Sequence, residues 1–428
     1  MSENTAWRSD DEQGRNELTA MAQRRLHLET PPGTRDLLFD EAEIKREIEN
    51  RMSAAFRRWA YREVLTPTLE YYDTLLRGAA QSKDKEIYKF VDREGYILAL
   101  RPELTTPLAR VSQTRLAGQE RPLRLFYFGP VFRYAQPQSG RPREFFQTGA
   151  ELIGGAGAAA DAEILALAIE ILETAGLRDF QVGLGQVEVM RSLYDKLPLA
   201  AEEKEDLLEA LGRKDLVAVE QIIAQKGQGQ SQARLLTALL ELHGGKETLE
   251  QARSLAEGTE AVPALESLEL VWDLVQSYGK SPRLFLDLGI LRDFNYYTGL
   301  VFEVYVPGLG IPLGGGGRYD HLLAQFGEPC PATGFALNLD LIIQALLRQE
   351  EGRAGGRERA GLPAEAGSPQ YLVAGSDWSQ VVAYARRLRQ KGFRVEVDLA
   401  GLGSEEAQEY ARRRGIDQVI FLGDRTGR

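Results

Sequence analysis

The amino-acid sequence predicts an α+β protein, with an antiparallel sheet in its main domain and a small α/β domain near its C-terminal end. Three observations support this prediction. The strand-like segments before residue 350 come mostly as hairpins, whose strands pair antiparallel. Helical periodicity without strand signals fills residues 196–280, which indicates a helical insertion. Beyond residue 369, strand and helix patterns alternate as in a parallel β-α-β unit.

The elements of the first hundred residues follow in order. Residues 1–28 are polar and mixed in charge, so they are predicted to be an extension rather than a signal peptide. Residues 40–60 carry apolar side chains at helical spacing after an acidic first turn, which favours a helix. Residues 61–75 are predicted to be a strand that Pro67 interrupts, as suits an edge or an interface. Residues 86–100 are typical of a hairpin that turns at its Arg-Glu-Gly sequence.

The later elements complete the division of the chain. Two strands joined by an arginine-bearing loop are predicted at 123–155, and an Ala/Leu/Ile-rich helix at 159–175. Three further strands and then a helix are predicted at 283–290, 299–308, 311–320 and 335–349. A Gly-, Ala-, Arg- and Glu-rich stretch without apolar periodicity predicts a linker. The expected parts are an extension (1–28), a core (29–349), a linker (350–369) and a C-terminal domain (370–428).

Composition and charge argue against several functional classes. The chain has 428 residues, which is enough for two or three domains. Its net charge of −11 weakens the hypothesis that it binds nucleic acid. Its single cysteine, Cys330, rules out an intrachain disulfide and a cysteine-based zinc site. Its three histidines are far apart in the sequence, which disfavours a metal cluster. No apolar run reaches the roughly eighteen residues of a membrane span. We therefore expect a cytoplasmic protein without a metal or cofactor.

The first of four polar clusters is the stretch 101–106 (RPELTT). The Glu103 carboxylate, beside hydroxyl groups and directly after a strand, could accept hydrogen bonds from a ligand ammonium. The alternative is a helix N-terminus, capped by Thr105 or Thr106 and with Pro107 in the first turn. The two interpretations are compatible, and both stay open at this point.

The second cluster follows the predicted strands at 123–155. Because successive side chains of a strand alternate between faces, Gln147 and Glu151 lie on one face of their strand. Together with Arg133, they suggest a polar pocket above the sheet. The alternative is an outer face in contact with solvent.

The third and fourth clusters are LRDFNYYTG (291–299) and GGGGRYD (314–320). The paired Tyr296 and Tyr297 could line a pocket with their phenol hydroxyls, or could simply pack in a core or an interface. The glycines could let the backbone approach a ligand or phosphate, but they match neither a Walker A loop nor a dinucleotide fingerprint. A lone histidine beside them, His321, is expected on the surface. Residue types and spacing thus predict a pocket for a small charged ligand.

In this order the clusters resemble the catalytic core of the histidyl-tRNA synthetase family, which belongs to the class II aminoacyl-tRNA synthetases. The resemblance spans about residues 30–350 and includes the region around Pro67, which looks like motif 1. The matching stretches are PPGTRD (31–36), LRPELT (100–105), the motif 2 region 128–154, LRDFNYYTGLVFE (291–303), GGGRYDHLL (315–323) and PATGFALNLDLI (331–342). The resemblance implies a class II synthetase-like antiparallel sheet with helices.

Departures from the family pattern fall on positions that serve ATP. Motif 2 has Ala135 where the family has a glutamate, and motif 3 has Leu341 where the family has an arginine. The resemblance implies that these degenerate ATP-site positions would cripple amino-acid activation, because phosphate charge needs a fixed cation.

The histidine-binding positions are largely kept. By resemblance, the ammonium of histidine would meet Glu103, Thr105 and Gln147. Its carboxylate would meet Arg133 or Arg292, and its imidazole Glu151, Tyr297 and Tyr319. The predicted binding set is Glu103, Thr105, Arg133, Gln147, Glu151, Arg292, Tyr296, Tyr297 and Tyr319, with no catalytic residue.

A site that keeps the amino acid and loses ATP is similar to that of the ATP phosphoribosyltransferase regulatory subunits, a paralogous family. The resemblance implies a non-catalytic chain that pairs with a short-form catalytic subunit, in a hetero-octamer around a synthetase-like homodimer. That subunit would need this chain for activity in the first step of L-histidine biosynthesis and for feedback inhibition by histidine. The alternatives are an active histidyl-tRNA synthetase, and a synthetase-like protein with another partner, such as a translation regulator.

Overall fold

The computed structural model describes residues 28–78, 81–135, 141–213, 215–224, 230–291, 294–351 and 369–423. These residues divide into two units, one of residues 28–36 and 48–351, the other of residues 37–47 and 369–423. Most of the predicted extension and linker, and two residues of the third cluster, Arg292 and Asp293, lie outside the described residues. The predicted domain limits therefore stay a prediction.

The first unit contains two sheets. Its strands are β1 (Arg62–Glu63), β2 (Leu69–Tyr71), β3 (Lys89–Val91), β4 (Ile97–Leu100), β5 (Leu123–Phe132), β6 (Glu144–Ile153), β7 (Gln181–Gln186), β8 (His243–Gly244), β9 (Leu284–Asp287), β10 (Leu300–Tyr305), β11 (Gly314–Arg318) and β12 (Ala332–Asn338). Nine of them form one sheet in the order β1-β5-β6-β12-β11-β10-β7-β9-β8, and β2-β4-β3 form a small one. All neighbours pair antiparallel except β1 with β5 and β7 with β9. The predicted antiparallel sheet is confirmed.

The helices before residue 352 are α1 (Asp40–Arg58), α2 (Tyr72–Gly78), α3 (Thr105–Thr114), α4 (Gly157–Ala175), α5 (Val187–Tyr194), α6 (Ala201–Gly212), α7 (Leu216–Ala224), α8 (Gln230–Leu240), α9 (Glu247–Leu255), α10 (Val262–Ser277) and α11 (Leu339–Glu351). Five of them, α6 to α10, lie within 196–280, so the predicted helical insertion is confirmed.

Helix α4 covers one face of the large sheet. It packs on β6 and β12 and against α10, and its side chains from Ile164 to Leu172 are almost all fully buried. Burial of a large aliphatic side chain is worth roughly 1.5–3 kcal/mol, so this helix is a main source of the core's stability. It ends at Ala175, and the following Gly176, with a left-handed φ of 104°, donates its N–H to the Glu173 carbonyl oxygen. The opposite face of β6 is left for the site described below.

The second unit carries a three-stranded parallel sheet. Its elements are β13 (Tyr371–Gly375), α12 (Trp378–Gln390), β14 (Val395–Val397), α13 (Ser404–Arg414) and β15 (Gln418–Leu422), in the strand order β14-β13-β15. Leu372 and Ala374 pack with α13, and Val373 packs with α12 on the other face. The predicted β-α-β-α-β domain is confirmed.

Two predicted elements are wrong in part. The helix predicted at 335–349 begins only at Leu339, because residues 332–338 form β12 in the middle of the large sheet. A short apolar run fits either a strand or a helix, and here pairing with both β6 and β11 decides for the strand. The strand predicted at 61–75 breaks around Pro67 into β1 and β2, and its last residues begin helix α2. None of the described helices is long and apolar enough to cross a membrane.

Candidate functional site

A polar pocket lies on the face of the large sheet opposite α4. Its floor comes from β6, β11 and β12, and its walls come from the start of α3, the end of β5 and the segment 294–299. The space between its walls is about 800 Å³ when the open mouth is included. Its lining residues are Gly78, Glu86, Pro102, Glu103, Thr105, Thr106, Arg133, Gln147, Glu151, Tyr296, Tyr297, Gly315, Gly316, Tyr319, Gly334, Phe335 and Ala336.

Eight of the nine predicted binding residues line this pocket, and the ninth, Arg292, lies outside the described residues. Gln147 and Glu151 are 6% and 1% exposed, so the alternative of a solvated outer face does not hold for them. That the lining binds a ligand stays a prediction. The sequence motifs did not single out Glu86 or Gly334, which also line the pocket.

The floor of the pocket centres on the buried carboxyl group of Glu151. The Tyr319 hydroxyl donates a hydrogen bond to its Oε2, whereas Oε1 has no hydrogen-bond partner among the described residues. Burial raises the pKa of Glu151 to about 8, against the lowering effect of the Tyr319 and Thr105 hydroxyls. At neutral pH the group is therefore mostly the neutral acid. A buried polar atom without a partner is costly, so Oε1 is a natural contact point for a polar ligand.

Two glycines make room for this arrangement. Gly334 on β12 faces Glu151 across the strand pair, and a Cβ there would lie 1.7 Å from Glu151 Oε2. A Cβ on Gly316 would lie 2.1 Å from the Gly334 carbonyl oxygen. The four-glycine run predicted to permit close approach thus forms strand β11, with Gly315 and Gly316 as bare backbone in the floor.

Three tyrosines form an aromatic wall. The rings of Tyr296 and Tyr319 stack with centroids 5.4 Å apart, and Tyr297 meets Tyr296 edge-on at 5.0 Å. Tyr297 and Tyr319 are buried. Burial raises the pKa of Tyr296 and of Tyr319 well above the ordinary value, so both stay neutral hydroxyls at physiological pH. The wall therefore offers apolar ring surface with neutral hydroxyl groups attached.

The start of helix α3 forms a second wall, and its cap differs from the prediction. Both carboxylate oxygens of Glu103 accept a hydrogen bond from the Thr106 N–H, at 3.1 and 3.0 Å. The N-cap position is Leu104, which makes no side-chain cap bond. The prediction that Thr105 or Thr106 is the cap is therefore wrong, because both lie within the first turn of the helix. Pro107 also lies in that turn, as predicted. The helix dipole favours the Glu103 carboxylate at this end.

Gln147 and Arg133 complete the polar lining. The Gln147 Oε1 accepts a hydrogen bond of 3.1 Å from the Leu104 N–H, which uses part of its acceptor capacity and leaves its amide NH₂ as a donor. The Arg133 Nε donates to the Pro102 carbonyl at 2.9 Å, and the guanidinium lies over the Phe145 ring at 5.2 Å. These contacts fix a cation at the edge of the pocket.

Two other arginines of the clusters, Arg101 and Arg318, use their guanidinium groups to hold parts of the fold together. Arg101 is 4% exposed, and its guanidinium donates to main-chain carbonyls of the Thr66 region and of β5, which ties the proline-interrupted segment to the sheet. Arg318 is 7% exposed and pairs with Asp161 at 2.9 Å and with Asp320 at 3.0 Å. This buried ion pair anchors the start of α4 to strand β11.

The two positions that depart from the synthetase motifs, Ala135 and Leu341, place no charged side chain in the pocket. The Ala135 carbonyl accepts a 3.0 Å hydrogen bond from Arg143 Nε, and the Leu341 N–H donates to Asn338 Oδ1 at 3.1 Å. Neither Ala135 nor Leu341 lines the pocket. His321 is exposed, as predicted, and the described residues contain no group of three or more metal-binding side chains.

The lining as a whole suits a small zwitterion with a polar ring. It offers carboxyl groups, a fixed guanidinium and hydroxyl donors around a buried floor, with stacked rings at one side. A family model for histidyl-tRNA synthetase matches residues 33–342 of the chain. Fold and sequence thus define a protein of the histidyl-tRNA synthetase class, with a class II synthetase-like core.

Relatives narrow this class. A protein of Moorella thermoacetica named ATP phosphoribosyltransferase regulatory subunit is 47% identical, over 93% of this chain and 99% of its own. One of Desulforamulus reducens with the same name is 41% identical, over 93% of this chain and 96% of its own. A solved structure from Bacillus halodurans, described as an ATP phosphoribosyltransferase regulatory subunit/histidyl-tRNA synthetase, matches with a TM-score of 0.80 at 33% identity, covering 92% of this chain and 98% of that one. The chain belongs to the family of ATP phosphoribosyltransferase regulatory subunits.

Proposed function

We propose that this chain is a non-catalytic, histidine-sensing subunit of ATP phosphoribosyltransferase in the cytoplasm. It is required for the activity of a short-form catalytic subunit in the first step of L-histidine biosynthesis, and it mediates feedback inhibition by L-histidine. The observation that carries this proposal is the pocket itself. Its polar lining matches free histidine, while the two positions that serve ATP in the synthetase carry alanine and leucine.

The fit to histidine follows from the groups at each end of the pocket. The Glu103 carboxylate at the start of α3 is suited to the ligand ammonium, with the Thr105 hydroxyl beside it, and Arg133 is suited to the ligand carboxylate. Arg292 stays a second proposed partner for that carboxylate. The imidazole has one nitrogen that donates and one that accepts, which matches the Glu151 carboxyl group and the tyrosine hydroxyls.

A regulatory rather than catalytic role is supported by the loss of ATP-directed charge. Transfer of an adenylyl group needs cations that offset the charge on the phosphates. At Leu341 the chain offers an aliphatic side chain whose N–H is bonded to Asn338. We infer that ATP is the substrate of the catalytic partner and is not activated by this chain.

The proposed homodimer has a candidate surface. On the small sheet, Glu70 and Ala99 face inward and are buried, so the alternate residues face outward. That outer face carries aliphatic and aromatic side chains and no charge, and it consists of Leu69, Tyr71, Phe90, Leu98 and Leu100. Leu69, Tyr71 and Phe90 are 45%, 54% and 43% exposed. A continuous apolar patch of this kind marks an interaction site, and we propose a second copy of this chain as its occupant.

The assembly can be tested by sedimentation. Tyr71→Lys places a charge in the middle of the outer face and should convert the dimer to a monomer. Val217→Lys is the matched control, because Val217 is 65% exposed on α7 and away from that sheet. A dimer dissociation constant that is unchanged in both variants would contradict this interface. The wild-type chain mixed with the catalytic subunit should sediment as a hetero-octamer with four copies of each.

The function is tested by reconstitution with the short catalytic subunit of the same organism. Formation of phosphoribosyl-ATP should rise sharply when this chain is added, and L-histidine should inhibit the complex. In a complex with the Glu103→Ala chain, inhibition should need about tenfold more histidine or more, because a charged partner of the ammonium is lost. Activity of the catalytic subunit that does not depend on this chain, or inhibition unchanged in the variant, would contradict the proposal.

A further inference from the structure

Helix α5 carries an arginine directly behind the aromatic wall of the pocket. Arg191 is 23% exposed, and its Nη2 donates hydrogen bonds to the carbonyl oxygens of Phe294 and Tyr297, at 2.6 and 2.9 Å. Its guanidinium also lies 5.1 Å from the centre of the Phe294 ring. The only ion pair seen for it among the described residues is with Glu188 on the same helix, at 3.6 Å. Arg191 thus directs its strongest contacts at the backbone of one short segment.

That segment, residues 294–299, is irregular and carries two pocket residues. It belongs to no helix or strand, so the Phe294 and Tyr297 carbonyl groups lack the regular partners that a ladder or helix supplies. The Arg191 guanidinium supplies the missing hydrogen-bond donors to these carbonyl groups, which lie on both sides of Tyr296 in the chain. Tyr296 in turn stacks on Tyr319, whose hydroxyl bonds to Glu151. The position of the aromatic wall therefore depends on a residue that does not line the pocket.

The same helix is tied to the helical insertion. The Tyr194 ring meets the Phe294 ring edge-on at 5.4 Å. The Tyr194 hydroxyl donates to the Lys204 carbonyl at 3.0 Å, and the Lys204 ammonium lies over the Tyr194 ring at 5.2 Å. Lys204 is on α6, the first helix of the insertion. Helix α5 therefore contacts the aromatic wall on one side and the insertion on the other.

We propose that Arg191 is a positioning residue for the aromatic wall, and that helix α5 couples occupancy of the pocket to the helical insertion. The second half of this inference rests on the proposed function, because it takes L-histidine as the occupant. A ligand that needs Tyr296 and Tyr297 in place binds more weakly when their segment is not held. By linkage, a ligand that orders the segment also stabilises the contacts of α5.

The first test compares three variants by calorimetric titration with L-histidine. Arg191→Ala should raise the dissociation constant about tenfold or more, since it removes two charge-assisted hydrogen bonds that hold the segment. Arg191→Lys keeps a cationic donor and should recover part of that loss. The matched control is Glu188→Ala, which removes the ion-pair partner of Arg191 but leaves the carbonyl bonds, and it should stay within about twofold of wild type.

The second test is hydrogen exchange of the full chain. Without histidine, Arg191→Ala should speed exchange in peptides that cover 294–299, whereas Glu188→Ala should not. With saturating histidine, the wild-type chain should gain protection both there and in peptides that cover 187–212. In Arg191→Ala, the gain at 187–212 should be lost. If that variant does not fold, Arg191→Lys is measured in the same way, with smaller changes of the same sign expected.

Each outcome decides one part of the proposal. Exchange at 294–299 that is unchanged in the ligand-free variant overturns the positioning role. Equal protection of 187–212 in variant and wild type, or none in the wild type when it binds histidine, overturns the coupling. A wild-type chain that gives no binding heat with histidine contradicts the proposed function and with it the coupling, while the ligand-free exchange still decides the role of Arg191.

Discussion

Replacing Glu151 by glutamine should change how the stability of the protein depends on pH. The Glu151 carboxyl group is 1% exposed, and its burial raises its pKa from the ordinary 4.5 to about 8. The folded chain therefore holds this proton more tightly than the unfolded chain. The resulting stabilisation is present in full at pH values below the unfolded pKa, and it is lost as pH rises towards the folded pKa. Glutamine has a similar shape and no proton to lose.

The size of the effect follows from the shift. Each pH unit between the two pKa values changes the free energy of unfolding by about 1.4 kcal/mol, so the wild type should lose roughly 4 kcal/mol relative to Glu151→Gln between pH 5 and pH 8. Titrating groups that do not interact with Glu151 cancel in this difference, because the two chains share them. Buried and paired groups elsewhere thus do not enter the comparison.

The assay is urea unfolding of the ligand-free chain at fixed protein concentration, at four pH values from 5 to 8. The control is Glu188→Gln, on a carboxylate that is 51% exposed, for which the difference from wild type should stay within about 0.5 kcal/mol at every pH. A difference between wild type and Glu151→Gln that stays constant, or that grows in favour of the wild type as pH rises, would contradict a raised pKa of Glu151.

Two further substitutions test the packing around the pocket. Gly334→Ala should weaken histidine binding by about 100-fold in calorimetric titration, because its Cβ would lie 1.7 Å from Glu151 Oε2 and displace a carboxyl group that we propose as a ligand contact. Unchanged affinity would contradict that role. Arg318→Ala should lower the free energy of unfolding by about 3–5 kcal/mol in urea, since it leaves the Asp161 carboxylate buried without its cation. Arg213→Ala removes an exposed ion pair and should cost less than about 1 kcal/mol, so equal losses would count against the buried pair.

Much of the fold could be predicted because its elements have clear periods. The β5–β6 hairpin, helix α4 and the C-terminal β-α-β-α-β order all show unbroken strand or helix patterns. The start of α11 could not be placed, because the apolar run before it suits a strand as well as a helix. Only its pairing with two neighbouring strands, of which β6 is distant in sequence, decides the matter.

The site could be predicted where the type of a side chain and its position along a strand indicate its role. The alternation along β6 placed Gln147 and Glu151 on one face, and the structure shows that face buried in the pocket. Gly334 and Arg191 could not be found in this way. The role of Gly334 is the absence of a side chain opposite Glu151, and Arg191 acts on carbonyl groups about a hundred residues away. Neither role leaves a local pattern in the sequence.

We propose above all that the pocket still binds the amino acid of a synthetase and no longer uses ATP. The most direct measurement follows L-histidine binding to the purified wild-type chain, together with histidine-dependent exchange of pyrophosphate into ATP. We expect saturable binding of one histidine per chain, with no exchange above background. Exchange at the rate of a working synthetase, or no binding of histidine at all, would contradict it.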